Sequence, residues 1–245
     1  MGCVQSEATM SLLDVIGPVM VGPSSSHTAG ACRLALLARH LLLSPPTRAR
    51  FALHGSFAKT AQGHGTDLAL VAGVLGFQPD DGRIRDAFAE ADSAGLEYEF
   101  VAEDLGDVHP NSVRIELGSG EEQVSMTGSS LGAGLVKVFN VNGLETSFSG
   151  SYHTLLVLHQ DRPGVIAEVA RVIAADEGNI ATIFSMRARR GGDALLAVEI
   201  DRRPAQYALD YLTHIPFAQW VRMLPVVMED RAPVSSILER NAEES

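Results

Sequence analysis

Between residues 152 and 226 the chain alternates element types in a fixed order, and that order limits the folds open to it more than any other feature of the sequence. Tyr152-His153-Thr154-Leu155-Leu156-Val157-Leu158-His159 reads as a strand and Gln160-Asp161-Arg162-Pro163-Gly164 as a turn. Residues 165–177 read as a helix with Ile166, Val169, Ala170 and Ile173 on one face, ended by Gly178-Asn179. A strand over 180–189, a Gly191-Gly192 hairpin into 194–200, a helix over 204–213 and a strand over 217–224 complete the run. The order βαββαβ is that of the ferredoxin-like split unit. Ser149-Gly150-Ser151 ahead of it reads as a linker, and residues 227–245 as a polar tail.

The first part of the chain, residues 10–148, is built on a different pattern. Residues 10–21 begin as a short helix that Gly17-Pro18 breaks. A helix to about Leu43 follows, stopped by Ser44-Pro45-Pro46, and residues 48–54 alternate as a strand. The segment 55–67 reads as a loop of small and polar residues before a helix over 68–75 closed by Gly76. An amphipathic helix over 81–92, a strand over 96–101 and hairpins over 112–126 and 135–148 follow, the second turning at Asn142-Gly143. Gly128-Ser129-Ser130-Leu131-Gly132-Ala133-Gly134 has the composition of an anion loop. It lacks the strand–helix setting of a dinucleotide site and reads as a flexible turn able to line a pocket. The whole is an α+β chain with a mixed first domain.

Composition removes several classes of function. With 245 residues, 46% of them hydrophobic, the chain has enough apolar material for real cores. A net charge of −11 opposes contact with a nucleic-acid backbone. No apolar run reaches membrane-spanning length, and no basic start precedes an apolar signal core, so a cytoplasmic location is expected. Cys3 and Cys32 alone build neither a disulfide framework nor a four-cysteine cluster site.

Three short motifs carry chemistry-bearing side chains. Gly22-Pro23-Ser24-Ser25-Ser26-His27-Thr28 runs directly into a helix, where hydroxyls cap free N–H groups or turn to a small anion. Gly63-His64-Gly65-Thr66-Asp67 sets an imidazole between residues without side chains, so a ligand can approach closely. Asp67 either orients that ring or serves as a first-turn acid of the next helix. His109-Pro110-Asn111 puts a third histidine ahead of a rigid proline. The residues leave three alternatives open: a Ser-His-Asp hydrolase, which lacks a nucleophile elbow; a three-histidine metal site, which lacks short spacing; and plain caps and turns.

Two resemblances add to this. Asp161-Arg162-Pro163-Gly164 after a strand, with Gly178-Asn179-Ile180 one helix later, resembles the ACT family of amino-acid-sensing domains. That resemblance implies effector binding between paired domains at Gly164, Asn179 and Ile180. The three histidine motifs in this order, followed by such a module, resemble the beta chain of iron–sulfur-dependent L-serine dehydratase (L-serine ammonia-lyase). Part of the first domain is also similar to a domain of some 3-phosphoglycerate dehydrogenases.

The dehydratase resemblance implies one subunit of a lyase, inactive alone, that eliminates water from L-serine to give pyruvate and ammonia. It implies a [4Fe–4S] cluster held by cysteines of a separate alpha chain, no metal ligand in this chain, and homotypic ACT pairing in a higher oligomer. Within the site it implies His64 as the base, His27 and His109 positioning substrate or shuttling protons, and Ser24, Ser25, Ser26, Thr28 and Asn111 holding the carboxylate and ammonium. The rival from another class is a cluster-free regulatory protein that binds an amino acid.

Overall fold

A computed structural model describes residues 24–228; the reading of a helix over 10–21 lies outside them, as does all but the start of the 227–245 tail, whose Val227 is buried in the core. Among the described residues, ten strands build two sheets and helices pack against them. The first sheet has six strands: β1 (Arg48–Leu53), β2 (Glu97–Ala102), β3 (Ser112–Ser119), β4 (Glu122–Gly132), β5 (Leu135–Val141) and β6 (Leu144–Phe148), in the order β2-β1-β3-β4-β5-β6. β1 and β2 pair parallel; the other pairs are antiparallel.

Period-two alternation gives this sheet two unlike faces. Phe51, Ile115 and Met126 are buried beneath α1 (Gly30–Arg39) and α3 (Thr66–Leu75). The opposite face is a ladder of charge, in which Arg50 sits between its register partners Glu99 at 3.0 Å and Glu116 at 2.8 Å, and Arg114 reaches Glu103 at 2.7 Å. A cleft of about 670 Å³ opens where β1 begins and β3 ends, lined by Arg48, Glu97, Gly118 and Gln123 among others. It lies at the far end of the strands from the histidines.

Helices α1 and α3 touch because Gly73 lets them. A Cβ there would stand 2.3 Å from the Cys32 carbonyl oxygen and 2.6 Å from the Ala35 Cβ. The segment read as a loop after β1 is in fact mostly helix: α2 spans Gly55–His64 and stops at Gly65, whose φ of +68° makes a left-handed cap. Its small side chains look loop-like in sequence, and Phe57, fully buried, anchors it. The 81–92 helix divides into a 3₁₀ turn Gly82–Asp86 and α4 (Ala87–Ala94). The glycine-rich stretch from Gly128 continues as strand β4, with its turn confined to the tip at Gly132, Ala133 and Gly134, all at positive φ.

The second sheet has the order β10-β7-β9-β8, from β7 (His153–Gln160), β8 (Ile180–Arg187), β9 (Asp193–Ile200) and β10 (Ala218–Leu224), all antiparallel. With α5 (Val165–Ala175) and α6 (Gln206–His214) this is the expected split βαββαβ order. Leu155, Val157, Leu196 and Val198 face the two helices. The intervening Leu156, Leu195 and Ala197, with Leu224, enter the core of the first sheet. Strands buried on both faces read as continuous apolar runs, which accounts for Leu155-Leu156-Val157.

Ser149-Gly150-Ser151, read as a linker, is firmly held. Ser149 donates its N–H and Oγ–H to Glu199 Oε1 at 2.8 and 2.7 Å, and Thr182 Oγ1 donates to Glu199 Oε2 at 2.6 Å. The Gly150 carbonyl accepts the Val227 N–H at 3.0 Å. Arg222 spans the two units, from the Leu41 carbonyl at 2.7 Å to Glu122 Oε1 at 2.9 Å.

Candidate functional site

The serine-rich motif does not enter α1 through an ordinary cap. Ser25–Ala29 forms one π-helical turn, closed by the Gly30 N–H on the Ser25 carbonyl, and continues directly into α1. Such wide turns are rare and concentrate at functional sites. Ser24 is its cap: Oγ accepts the His27 N–H at 3.2 Å and lies 3.3 Å from His27 Nδ1. The turn packs against α2, α3 and β4.

His64, the last residue of α2, comes against it. The His27 and His64 rings meet edge to face, centroids 4.8 Å apart at 82°, with Phe57 edge-on to His27 at 5.5 Å. Thr28 Oγ1 donates to the His64 carbonyl at 3.2 Å, tying the first two motifs together. On its other side His27 Nε2 lies 3.1 Å from Ser56 Oγ. Burial, and then the neighbouring His64 charge, lower the His27 pKa, so the ring favours its neutral form.

His64 Nδ1 is buried and has no hydrogen-bond partner among the described residues. Two more buried polar atoms in this neighbourhood share that condition: Thr66 Oγ1 and Ser130 Oγ. Buried polar atoms are nearly always satisfied, so these three, on the α2, α3 and β4 elements that pack against the π turn, stand out as polar groups without a partner among the described residues. Ser130 stands against the start of α1, where a Cβ on Gly30 would fall 2.0 Å from its Oγ. Asp67 proves to be a first-turn acid: Oδ1 accepts the Leu68 N–H at 2.9 Å, and burial raises its pKa.

The third motif joins through its backbone. His109 is exposed, and its Nδ1 accepts the Asn111 N–H at 3.1 Å. The Pro110 carbonyl accepts the Ser56 N–H at 2.8 Å, and the Asn111 carbonyl accepts the Ser130 N–H at 2.9 Å. Ser24, Ser25 and Ser26 are half-buried and Thr28 is buried; Ser26 Oγ faces the β4 end, 3.7 Å from where a Cβ on Gly132 would stand. Sequence reasoning missed Ser56 and Ser130. Each lies inside a segment read as loop or turn, and only the pairing of distant elements reveals it.

In the second unit, Gly164 and Asn179–Ile180 lie beyond opposite ends of α5, whose 11 residues make a helix about 16 Å long. One copy of the chain does not bring them together. Gly164 starts α5 at φ +94° with open space around it, and Asn179 Nδ2 donates to Asp201 Oδ2 at 2.7 Å.

The described residues do not suit an iron–sulfur cluster. No group of three or more His, Cys, Asp or Glu side chains converges among them. The Cys32 thiol is buried on the Phe77 carbonyl at 3.2 Å, and its burial pushes its pKa up to about 12, against the thiolate that a cluster needs. No helix among the described residues is long and apolar enough to cross a membrane.

Comparison with known proteins agrees with the motifs. Residues 11–99 match the family model of the serine dehydratase beta chain. The L-serine dehydratase beta chain of Peptoniphilus asaccharolyticus is 46% identical over 195 residues, 78% of this chain and 87% of that one. The probable L-serine dehydratase beta chain of Bacillus subtilis is 41% identical over 206 residues, 84% and 94% of the two chains. A D-3-phosphoglycerate dehydrogenase of Bacillus subtilis shares 30% identity over 88 residues, 36% of this chain and 17% of that one. Because the first two similarities run through about four fifths of this chain and about nine tenths of the relatives, this chain belongs to the L-serine dehydratase beta-chain family, a family of lyases.

Proposed function

We propose that the chain is the beta subunit of a two-chain L-serine dehydratase, contributing the groups that hold L-serine and remove its α-proton. The observation that carries this is the His27–His64 contact, with a buried and uncommitted His64 Nδ1 beside a turn of hydroxyls. The proton on Cα of an amino acid is weakly acidic, so its removal needs a base held close and away from water. His64 fills that role: it is half-buried, on the end of a short helix, and its partner ring favours the neutral state. Ser24, Ser25, Ser26 and Thr28 offer hydroxyls along the π turn that leads into α1, and the first N–H groups of that turn and the helix dipole favour the substrate carboxylate. His109 and Asn111 border the same region through the Pro110 turn.

Departure of the β-hydroxyl is left to an alpha chain, which carries the [4Fe–4S] cluster that this chain's described residues do not suit. The second unit serves as an ACT module whose effector site forms only between two copies. That reading is supported by the separation of Gly164 from Asn179–Ile180 along α5.

The deciding experiment is anaerobic pyruvate formation from L-serine, with the chain alone and then co-expressed with a cysteine-bearing partner subunit. Activity in the pair only, lost in air, is expected. A stable pair without turnover would remove serine as substrate, and turnover by the chain alone would remove the need for a partner's cluster. In the same assay Gly164→Asp should shift the serine saturation curve; an unchanged curve would reduce the second unit to a structural role.

A further inference from the structure

The His109-Pro110-Asn111 turn lends the site its backbone more than its imidazole. The Pro110 carbonyl accepts the N–H groups of Ser56 at 2.8 Å and Phe57 at 3.4 Å, two of the donors that the first turn of α2 leaves without helical partners. Gly55 makes that approach possible. Its φ is +54°, and a Cβ there would lie 2.7 Å from the Pro110 oxygen and 2.9 Å from its Cα. The contact seats Ser56 Oγ at 3.1 Å from His27 Nε2.

Across the ring, Ser24 Oγ already accepts the His27 backbone N–H. A hydroxyl carries one proton, and with a lone pair so engaged the Ser24 O–H is free to point at Nδ1, 3.3 Å away. An Nδ1 that accepts leaves the ring proton on Nε2, which then donates to Ser56. Both nitrogens of His27 are thereby committed, while His64 Nδ1 is not.

We propose that Ser56 is a positioning residue: seated by Pro110 across Gly55, it acts with Ser24 on the opposite nitrogen to hold His27 as the Nε2–H tautomer, edge-on to His64, and so reserves the base role for His64. The catalytic part of this rests on the function proposed above; the tautomer does not.

The test uses the full-length chain labelled with ¹⁵N-histidine, reading ring tautomers from two-bond proton–nitrogen correlations, with His27 identified by the signal lost in His27→Gln. An Nε2–H pattern is expected in the natural chain and in Ser56→Thr, which keeps the hydroxyl, with averaging between tautomers in Ser56→Ala. In the two-chain enzyme Ser56→Ala should lower kcat about tenfold, the worth of one hydrogen bond, with KM within about twofold and recovery in Ser56→Thr. An Nδ1–H pattern in the natural chain, or an unchanged pattern in Ser56→Ala, overturns the proposal. The expected tautomers in a pair that leaves serine untouched would uphold Ser56 and bring down the dehydratase reading instead.

Discussion

At the scale of single residues, the site separates side chains that touch its centre from those that shape it. His64→Gln should cut turnover of the paired enzyme at least about a hundredfold, as expected for loss of a general base. The folded state should survive, because the contact to Thr28 runs through the His64 carbonyl, which the substitution keeps. Circular dichroism beside the rate measurement checks both; turnover within a few-fold of the natural enzyme would eliminate His64 as the base. Cys32 gives a pH prediction of definite sign. Its thiol stays protonated in the fold up to about 12, while the unfolded chain releases that proton near the ordinary cysteine value. Between those limits the native state holds more protons, so stability falls as pH rises, by up to about 1.4 kcal/mol per pH unit. Urea titrations of the natural chain and Cys32→Ala from pH 8 to 11 measure it; parallel curves would show no such linkage. The histidines were legible in the sequence because glycine, proline and serine frame them visibly. Ser56 and Ser130 were not, since a hydroxyl's use depends on what another strand or helix brings opposite.

At the scale of elements, close approach governs where helices can sit. Gly73→Ala would drive a Cβ into the Cys32 carbonyl, and such overpacking typically costs about 1–3 kcal/mol. Gly63→Ala is the contrasting case: it lies inside α2 and nothing stands within 4 Å of its added Cβ. Replacing a helical glycine by alanine there should stabilise by about 0.5–1 kcal/mol. Chemical unfolding of the two variants should therefore move in opposite directions, and a stabilised Gly73→Ala would mean that α1 and α3 are not packed as described. The same substitution tests whether substrate approaches His64 from the Gly63 side, since added bulk would then raise KM. The split βαββαβ unit was readable because each of its elements has a clear period and a clear stop. Helix α2 was hidden: Gly55-Ser56, Gly63 and two threonine or glutamine positions give no apolar stripe, and a single buried aromatic, Phe57, holds it down.

At the scale of the whole molecule, the two sheets are parts of one apolar interior. Residues from β7, β9 and β10 complete the core beneath α1, and Glu199 bonds Thr182 of β8 and Ser149 at the end of β6. Glu199→Ala leaves the half-buried Ser149 N–H without its acceptor, a change worth about 1 kcal/mol. Thermal unfolding should remain a single transition at a lower midpoint, and limited proteolysis should begin to cut near Ser149-Gly150-Ser151. Two resolved transitions in the natural chain would contradict a shared core. The sequence could not announce this union, because a strand that is apolar on both faces looks the same whether its second face meets a helix, another sheet or another chain. Severing the chain at Ser151 would consequently yield two halves that each bare a greasy wall. Neither should behave as a small soluble protein on its own. Mixed, they should find each other, and the molecule would make a natural pair for fragment complementation, its assembly reported by the return of whatever the histidines do.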